Sequence, residues 1–539
     1  MVEDIFGIDM VMEDDTDSEH GEEEEEEEID DDDPIQTFDR SEEHNLSRDK
    51  KFIVSESKLL QLIQNQRCHC GESINPGSVR KGRNVAAAVH YEYSCMVGHP
   101  HRWVSTEFYG GKSAIQIMLQ MAVLLSGLTW FPFAQAFQFA NIAIGSASNF
   151  FRYQRIYRNC ISNCYRTKMR GMLDKYRDRS VCVAIDVRYD TPGFSANKAT
   201  AIFMEYISGD IIHMEIGDSR EVGRNSNKLE SFIISRGMAY LQTNGLNVVE
   251  VVTDASRAII SLFEQSKYGN ISHSLDVWHK AKKILQVLGE AGRKVSGRDV
   301  LPWIKSIVNH FWWCSANCRG NKERLRTMWL FILRHITNVH RSIMYECPHG
   351  PLSVPEGKKW LTIDSNAYKI VKSFVTNRIW LGSLKYYATN RHTGRVENFN
   401  SHTLLRYCPK RLKFSYDSYM CRNQLAVLDH NEHQSRAPAN RQDGQPSIQG
   451  QVSRRTKQWV AFQRLTPKEF LYIEDLLVEC MRATYGVTNA SLSKTAQELD
   501  VLAPNLSNAA NPGSQEIFHT RQQRCEGASL VSNAAFGDG

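Results

Sequence analysis

The middle of the chain alternates short apolar runs with polar breaks. From Ser180 the sequence reads SVCVAIDVRYD, ATAIFMEYI and DIIHMEIGD, each bounded by Gly, Asp, Asn or Ser. Such runs predict three consecutive strands. NKLESFIISRGMAYLQTNG then places its apolar positions at the helical period, and NVVEVVTD, ASRAIISLFEQSKYG and ISHSLD predict strand, helix and strand. Three strands, helix, strand, helix, strand is the order of an RNase H-like mixed sheet, an α+β or α/β architecture, here over residues 179–280. Asp186 closes the first strand and Asp254 the fourth. Those strands are neighbours in that topology, so both carboxylates reach one edge of the sheet.

The segments on either side change period. SKLLQLIQNQRCHCG introduces Cys68 and Cys70, and YSCMVGHPHRW supplies Cys95 and His99 across alternating residues such as AAAVHYEYSC. This pattern predicts a zinc ribbon over 55–110, with Zn²⁺ tetrahedral between soft ligands and His69 or His101 as other choices for the fourth. Over 111–178 we expect three helices: Ser113 to Leu125, Phe131 to Asn141, and one capped by Ser148. Their glycine-bearing turns fit a helix-turn-helix. In the third, NFFRYQRIYRNC, three-residue spacing puts Arg152, Arg155 and Arg158 near one face, suited to phosphates or a major groove. The same face also reads as an ordinary basic helix surface.

Residues 281–390 are helical and rich in Trp and His, and are expected as an insertion into the sheet domain. Cys314, Cys318, Cys347 and His349 are candidates for a second zinc site, although Cys314 and Cys318 at helical spacing also fit core thiols. Residues 391–432 return to the sheet domain with Glu397 at the start of a helix. Residues 433–539 are rich in Gln, Ser, Asn, Pro and Ala and are expected as linker and tail with one basic amphipathic helical stretch, RRTKQWVAFQRLTPKEFLYIEDLLVECM.

Charge sharpens this picture. Residues 1–33 carry 19 acidic side chains and no Lys or Arg, so residues 34–539 hold 65 basic against 42 acidic residues, a net +23. A body this basic suits a polyanion such as nucleic acid. Residues 1–54 are expected to form a disordered acidic tail, acting as a spacer or as a DNA mimic that covers the basic body. No secretory leader begins the chain, so its thirteen cysteines read as thiols or metal ligands. AIQIMLQMAVLLSGLTWF is too interrupted for a membrane span.

Asp186, Asp254 and Glu397 are hard oxygen donors that favour Mg²⁺ or Mn²⁺. Two such ions can activate a hydroxyl and stabilise a leaving 3′ oxygen in phosphoryl transfer. Asp276 and His279 form an Asp-x-x-His motif beside them.

Eight ordered blocks also carry a family resemblance: AIDVRYDTPG, VVTD, SLDVWHKAKK, IVNHFWWC, HITNVH, HTGRVENFNS, YCPKR and QLAVLDHN. Together they resemble Kolobok-type DNA transposases, a cut-and-paste superfamily with a DDE catalytic domain. The resemblance implies that Asp186, Asp254 and Glu397 are the catalytic triad. It makes Asp276 and His279 the companion signature, shaping the site or contacting DNA. It further implies DNA as partner, a homo-oligomer on transposon ends, TTAA target duplications and a nuclear location. Many relatives begin with a THAP zinc finger, which this chain lacks, so end recognition would fall to the ribbon, the helical segment or a missing partner. A domesticated DNA-binding protein that does not cut, and an RNase H-fold nuclease that only hydrolyses, are the alternatives.

Overall fold

A computed structural model describes residues 47–486, apart from 83–85, 110, 193–195, 224, 342–345, 348, 350–358 and 453–457. The acidic run of residues 1–33 and the tail beyond residue 486 lie outside the described residues.

The first part is small. Helix α1 (Glu56–Gln64) covers an antiparallel sheet of β1 (Arg80–Lys81), β2 (His90–Ser94) and β3 (Pro100–Val104). Ile63, Cys68, Ile74, Tyr91, Tyr93 and Cys95 form its core. A two-residue pairing of β4 (Phe108–Tyr109) with β5 (Lys112–Ser113) leads into α2 (Ala114–Leu125). The Ser113 hydroxyl accepts from the Gln116 amide there, a standard N-cap.

Helices α3 (Trp130–Phe139) and α4 (Ala147–Tyr176) follow. Helix α4 is longer than the pattern predicts and is capped by Ser146 rather than Ser148. It buries Phe150, Tyr153, Ile156, Tyr157, Cys160, Ile161, Tyr165, Met169 and Leu173, which places it in the core for most of its length.

Strands β6 (Ser180–Tyr189), β7 (Lys198–Glu205) and β8 (Ile211–Asp218) form an antiparallel meander. Helix α5 (Ser226–Thr243), β9 (Asn247–Thr253), α6 (Arg257–Phe263) and β10 (Ser272–Leu275) complete a mixed five-stranded sheet in the order β10-β9-β6-β7-β8. Strands β6, β9 and β10 run parallel. Alternate residues of β6 and β7 enter different cores: Ala184, Ile202 and Met204 meet α4, whereas Val183, Ile185, Ala201 and Phe203 meet α5. Both faces are covered, so the strands read as nearly continuous apolar runs.

After β10 the chain leaves the sheet. Helices α7 (Val277–Gly292), α8 (Leu301–Asn317), α9 (Lys322–Leu330), α10 (Ile332–His335), α11 (Asn366–Val375) and α12 (Arg378–Ser383) surround a core of their own, which includes Trp303, Phe311, Trp329 and Trp380. The chain returns through α13 (Gly394–Asn398), a π-helical turn at Phe399–Thr403, α14 (Leu404–Tyr407) and α15 (Tyr416–His433).

The stretch expected as one basic amphipathic helix divides. Strand β11 (Ile448–Val452) pairs with β12 (Trp459–Gln463), and the helix, α16, begins only at Leu471 and ends at Tyr485. Nor is α16 a free interaction element. Tyr472, Leu476, Cys480 and Met481 are buried in the same core as α4, each aliphatic side chain contributing roughly 1.5–3 kcal/mol. The helical period was legible in the sequence, but the surface that its apolar stripe covers was not.

Candidate metal centre

Strand register assembles the site. Ala184 pairs with Val252, and Thr253 pairs with Leu275. Two residues beyond the first pair come Asp186 and Asp254; one residue beyond the second come Asp254 and Asp276. Asp254 and Asp276 therefore follow the last residues of β9 and β10, whereas Asp186 does not close its strand as expected but lies level with Asp254 inside β6, which pairs on with β7 as far as Tyr189; all three reach the side of the sheet where open α/β sheets expose their crevices. Glu397 arrives from α13. One donor oxygen or nitrogen each from Asp254, Asp276, His279 and Glu397 lies within 4.8 Å of all the others.

His279 stands between two carboxylates. Its Nδ1 is 3.0 Å from Asp254 Oδ1 and its Nε2 is 3.4 Å from Glu397 Oε1. The carboxylates of Asp254 and Asp276 beside it push its imidazole up to about 10. Asp276 is buried and fully engaged. It caps α7 by accepting from the His279 amide at 2.9 Å, and it accepts from the Thr393 amide at 2.6 Å and hydroxyl at 2.8 Å. Burial opposes its ionisation, but the donors from His279 and Thr393 win and hold the carboxyl well below the usual range.

Asp186 behaves in the opposite way. Burial pushes its carboxyl up to about 6, the charges of Asp254 and Glu397 add to the rise, and Asn400 and the Val187 amide offset part of it. Asn400 Nδ2 donates to Asp186 Oδ2 at 2.9 Å from within the π-helical turn, a local widening that recurs at functional sites. Beside them lies a cleft of about 440 Å³, lined by Asp186, Glu397, Asn400, Ser401 and Lys410 among others.

Thr393 and Asn400 escaped the sequence argument, which looked for ionisable groups. Both lie within the HTGRVENFNS block around Glu397, and that proximity was the available signal. Asp190, by contrast, is spent on structure, since its carboxylate accepts from the Asn197 and Lys198 amides.

The second group gathers in the N-terminal sheet. Cys68, Cys70, Cys95 and His99 converge within 4.8 Å, whereas His69 and His101 meet only Cys68 in a separate grouping. Two turns present the thiols: the Gly71 amide donates to the Cys68 carbonyl and the Gly98 amide to the Cys95 carbonyl. Both glycines have positive φ, +87° and +97°, which a side chain would strain. Burial opposes ionisation of Cys95, but the His99 and Val97 amides prevail and bring its thiol down to about 6.

Other expected sites are corrected. Cys314 and Cys318 do not join Cys347 and His349. Both are buried, as the alternative reading of core thiols had it: Cys314 in α8, with its Sγ 3.3 Å from His310 Nε2, and Cys318 at the C-terminal cap of that helix, donating to the Ser315 and Ala388 carbonyls. Four-residue spacing put both thiols on the inward face of the helix. Of the three arginines on α4, Arg158 turns toward α15 and pairs with Asp417 at 2.6 Å, its side chain only 13% exposed. Arg152 and Arg155 are half-buried. Arg158 is thus taken up by packing, because α15 and α16 lie against the same helix.

No family model matches this chain, and no curated protein matches it.

Proposed function

We propose that this protein is a DDE-type DNA transposase, related to the Kolobok superfamily, whose Asp186, Asp254 and Glu397 hold Mg²⁺ or Mn²⁺. One observation carries the reading: donor atoms of Asp254, Asp276 and Glu397, from separate strands and a distant helix, gather within 4.8 Å of one another, and Asp186, which is not one of that group, has its carboxyl raised by burial and by the charges of Asp254 and Glu397. Hard oxygen donors with excess negative charge fit a divalent cation. The sheet order, with the first strand central and the parallel pair on one side of it, supports an RNase H-like fold.

Bound cations would supply activation of the attacking hydroxyl and stabilisation of the leaving oxygen. The chain's own groups do the rest. Asn400 fixes the rotamer of Asp186, and the Thr393 hydroxyl lies within 3.4 Å of both Asp254 and Glu397. Asp276 holds Thr393 and the start of α7, which aims His279 between the two carboxylates. Lys410 on the cleft wall suits a DNA phosphate. We assign Zn²⁺ to Cys68, Cys70, Cys95 and His99, as a zinc ribbon that holds a sheet with a very small core.

The test first looks for terminal inverted repeats beside the coding region and then uses DNA that carries them. The protein should cleave and join these ends only with Mg²⁺ or Mn²⁺. Asp254→Ala and Glu397→Gln should abolish both steps and leave DNA binding intact. Cleavage without joining would instead identify a hydrolytic nuclease; binding without either would identify a domesticated binder. Retained cleavage by Asp254→Ala refutes the mechanism.

A further inference from the structure

The helical lobe contains a ligand set that spacing alone did not disclose. His335 at the end of α10, and His340, Cys347 and His349 beyond it, offer four donor atoms that all lie within 4.8 Å of one another. The chain doubles back to achieve this. The Cys347 amide donates to the His340 carbonyl, and Arg341 and Glu346 form an antiparallel bridge closed by a salt bridge at 2.7 Å.

The rings converge rather than stack. The centroids of His335, His340 and His349 are 5.0 to 5.2 Å apart in every pair, with interplanar angles of 79° to 82°. His335 Nδ1 lies 3.5 Å from Cys347 Sγ and 3.4 Å from His349 Nε2. His340 Nε2 lies 3.0 Å from Asn338 Oδ1, an acceptor that suits a proton on Nε2 and leaves Nδ1 for another partner. That Nδ1 is buried with no hydrogen-bond partner among the described residues. A hydrogen-bond acceptor on one ring nitrogen and a buried, unpartnered second nitrogen is the arrangement of a metal-ligating histidine. Trp303 and Trp360 flank His335, and Trp360 also flanks His340.

We infer that His335, His340, Cys347 and His349 form a structural zinc site that ties the residues carrying His340, Cys347 and His349 to the end of α10. Three imidazoles and one thiolate suit a borderline-soft cation in tetrahedral geometry and suit Mg²⁺ poorly. Four protein ligands leave no open position, so the ion braces the fold and does not activate water. The Leu361 amide donates to the Ile336 carbonyl, one residue beyond His335. The inference does not depend on the transposase reading or on zinc at the N-terminal sheet.

The full-length chain carrying Cys95→Ser disables the N-terminal group and leaves this one intact. It should retain about one zinc per chain after dialysis. X-ray absorption at the zinc edge should show one sulfur at about 2.3 Å and three nitrogens at about 2.0 Å. Adding His340→Ala or Cys347→Ala should remove that zinc. A Cys95→Ser chain without zinc overturns the inference, as does a shell with more than one sulfur. The absorption measurement decides the matter even if the double variants fail to fold.

Discussion

Replacing Asp186 with asparagine should stabilise the metal-free protein while abolishing its response to divalent cations. The move of its carboxyl from 3.8 to about 6 means that ionisation is disfavoured by about 3 kcal/mol relative to the unfolded chain. A raised carboxyl binds protons in the folded state that the unfolded chain has already released. Stability is therefore lost as pH rises from 3.8 through about 6, and the whole penalty stands at pH 7. The side chain is partly solvent-accessible, which reduces the recoverable part to about 2 kcal/mol. The amide can be accommodated. Its oxygen can accept from the Val187 amide, and Asn400, whose Oδ1 is buried without a partner, can rotate to receive the new NH₂ group. Thermal unfolding in chelator should then show Asp186→Asn melting above wild type. In Mg²⁺ or Mn²⁺ at about a hundredfold excess over Kd, wild type should gain about 2.7 kcal/mol and the variant almost nothing. A variant less stable than wild type in chelator, with a full metal response, would refute the electrostatic reasoning.

Three further outcomes follow from other parts of the molecule. Binding of the full chain to duplex DNA should weaken steeply as salt rises, and deleting residues 1–33 should tighten it at low salt; unchanged affinity reduces the acidic arm to a spacer. Cys95→Ser should cost the N-terminal sheet its metal and its protection from proteolysis, because so small a core depends on ligation; undiminished zinc would exclude that site. Burial holds the imidazoles of His273 and His310 down to about 4, whereas the unfolded chain protonates near 6.5. Stability should thus fall between pH 6.5 and 4 by roughly 3 kcal/mol per histidine; denaturant titrations of wild type and a His273→Gln/His310→Gln variant should differ in that slope, and equal slopes would contradict it.

The sequence by itself determined what depends on neighbours along the chain. Strands buried on both faces had to be almost wholly apolar, so SVCVAIDVRYD and NVVEVVTD announced themselves, together with the aspartates just where their apolar character ends. The structure adds that the glycines after Cys68 and Cys95 form turns whose positive φ few other residues adopt. Tertiary structure decided everything that depends on which surface meets which. Helical spacing left Cys314 and Cys318 open to a core or to a metal, and could not say that His335 and His340 would join Cys347 and His349. Nor could charge show that Arg158 would meet Asp417, or period alone that α16 would close the core beside α4. At the metal centre, Asp276 was legible as a strand end, but its use by Thr393 and the His279 amide depends on residues 391–393 returning after more than a hundred positions. A side chain's type is local, whereas its partner is fixed only when distant segments are buried together, because burial decides which polar atoms must find one another.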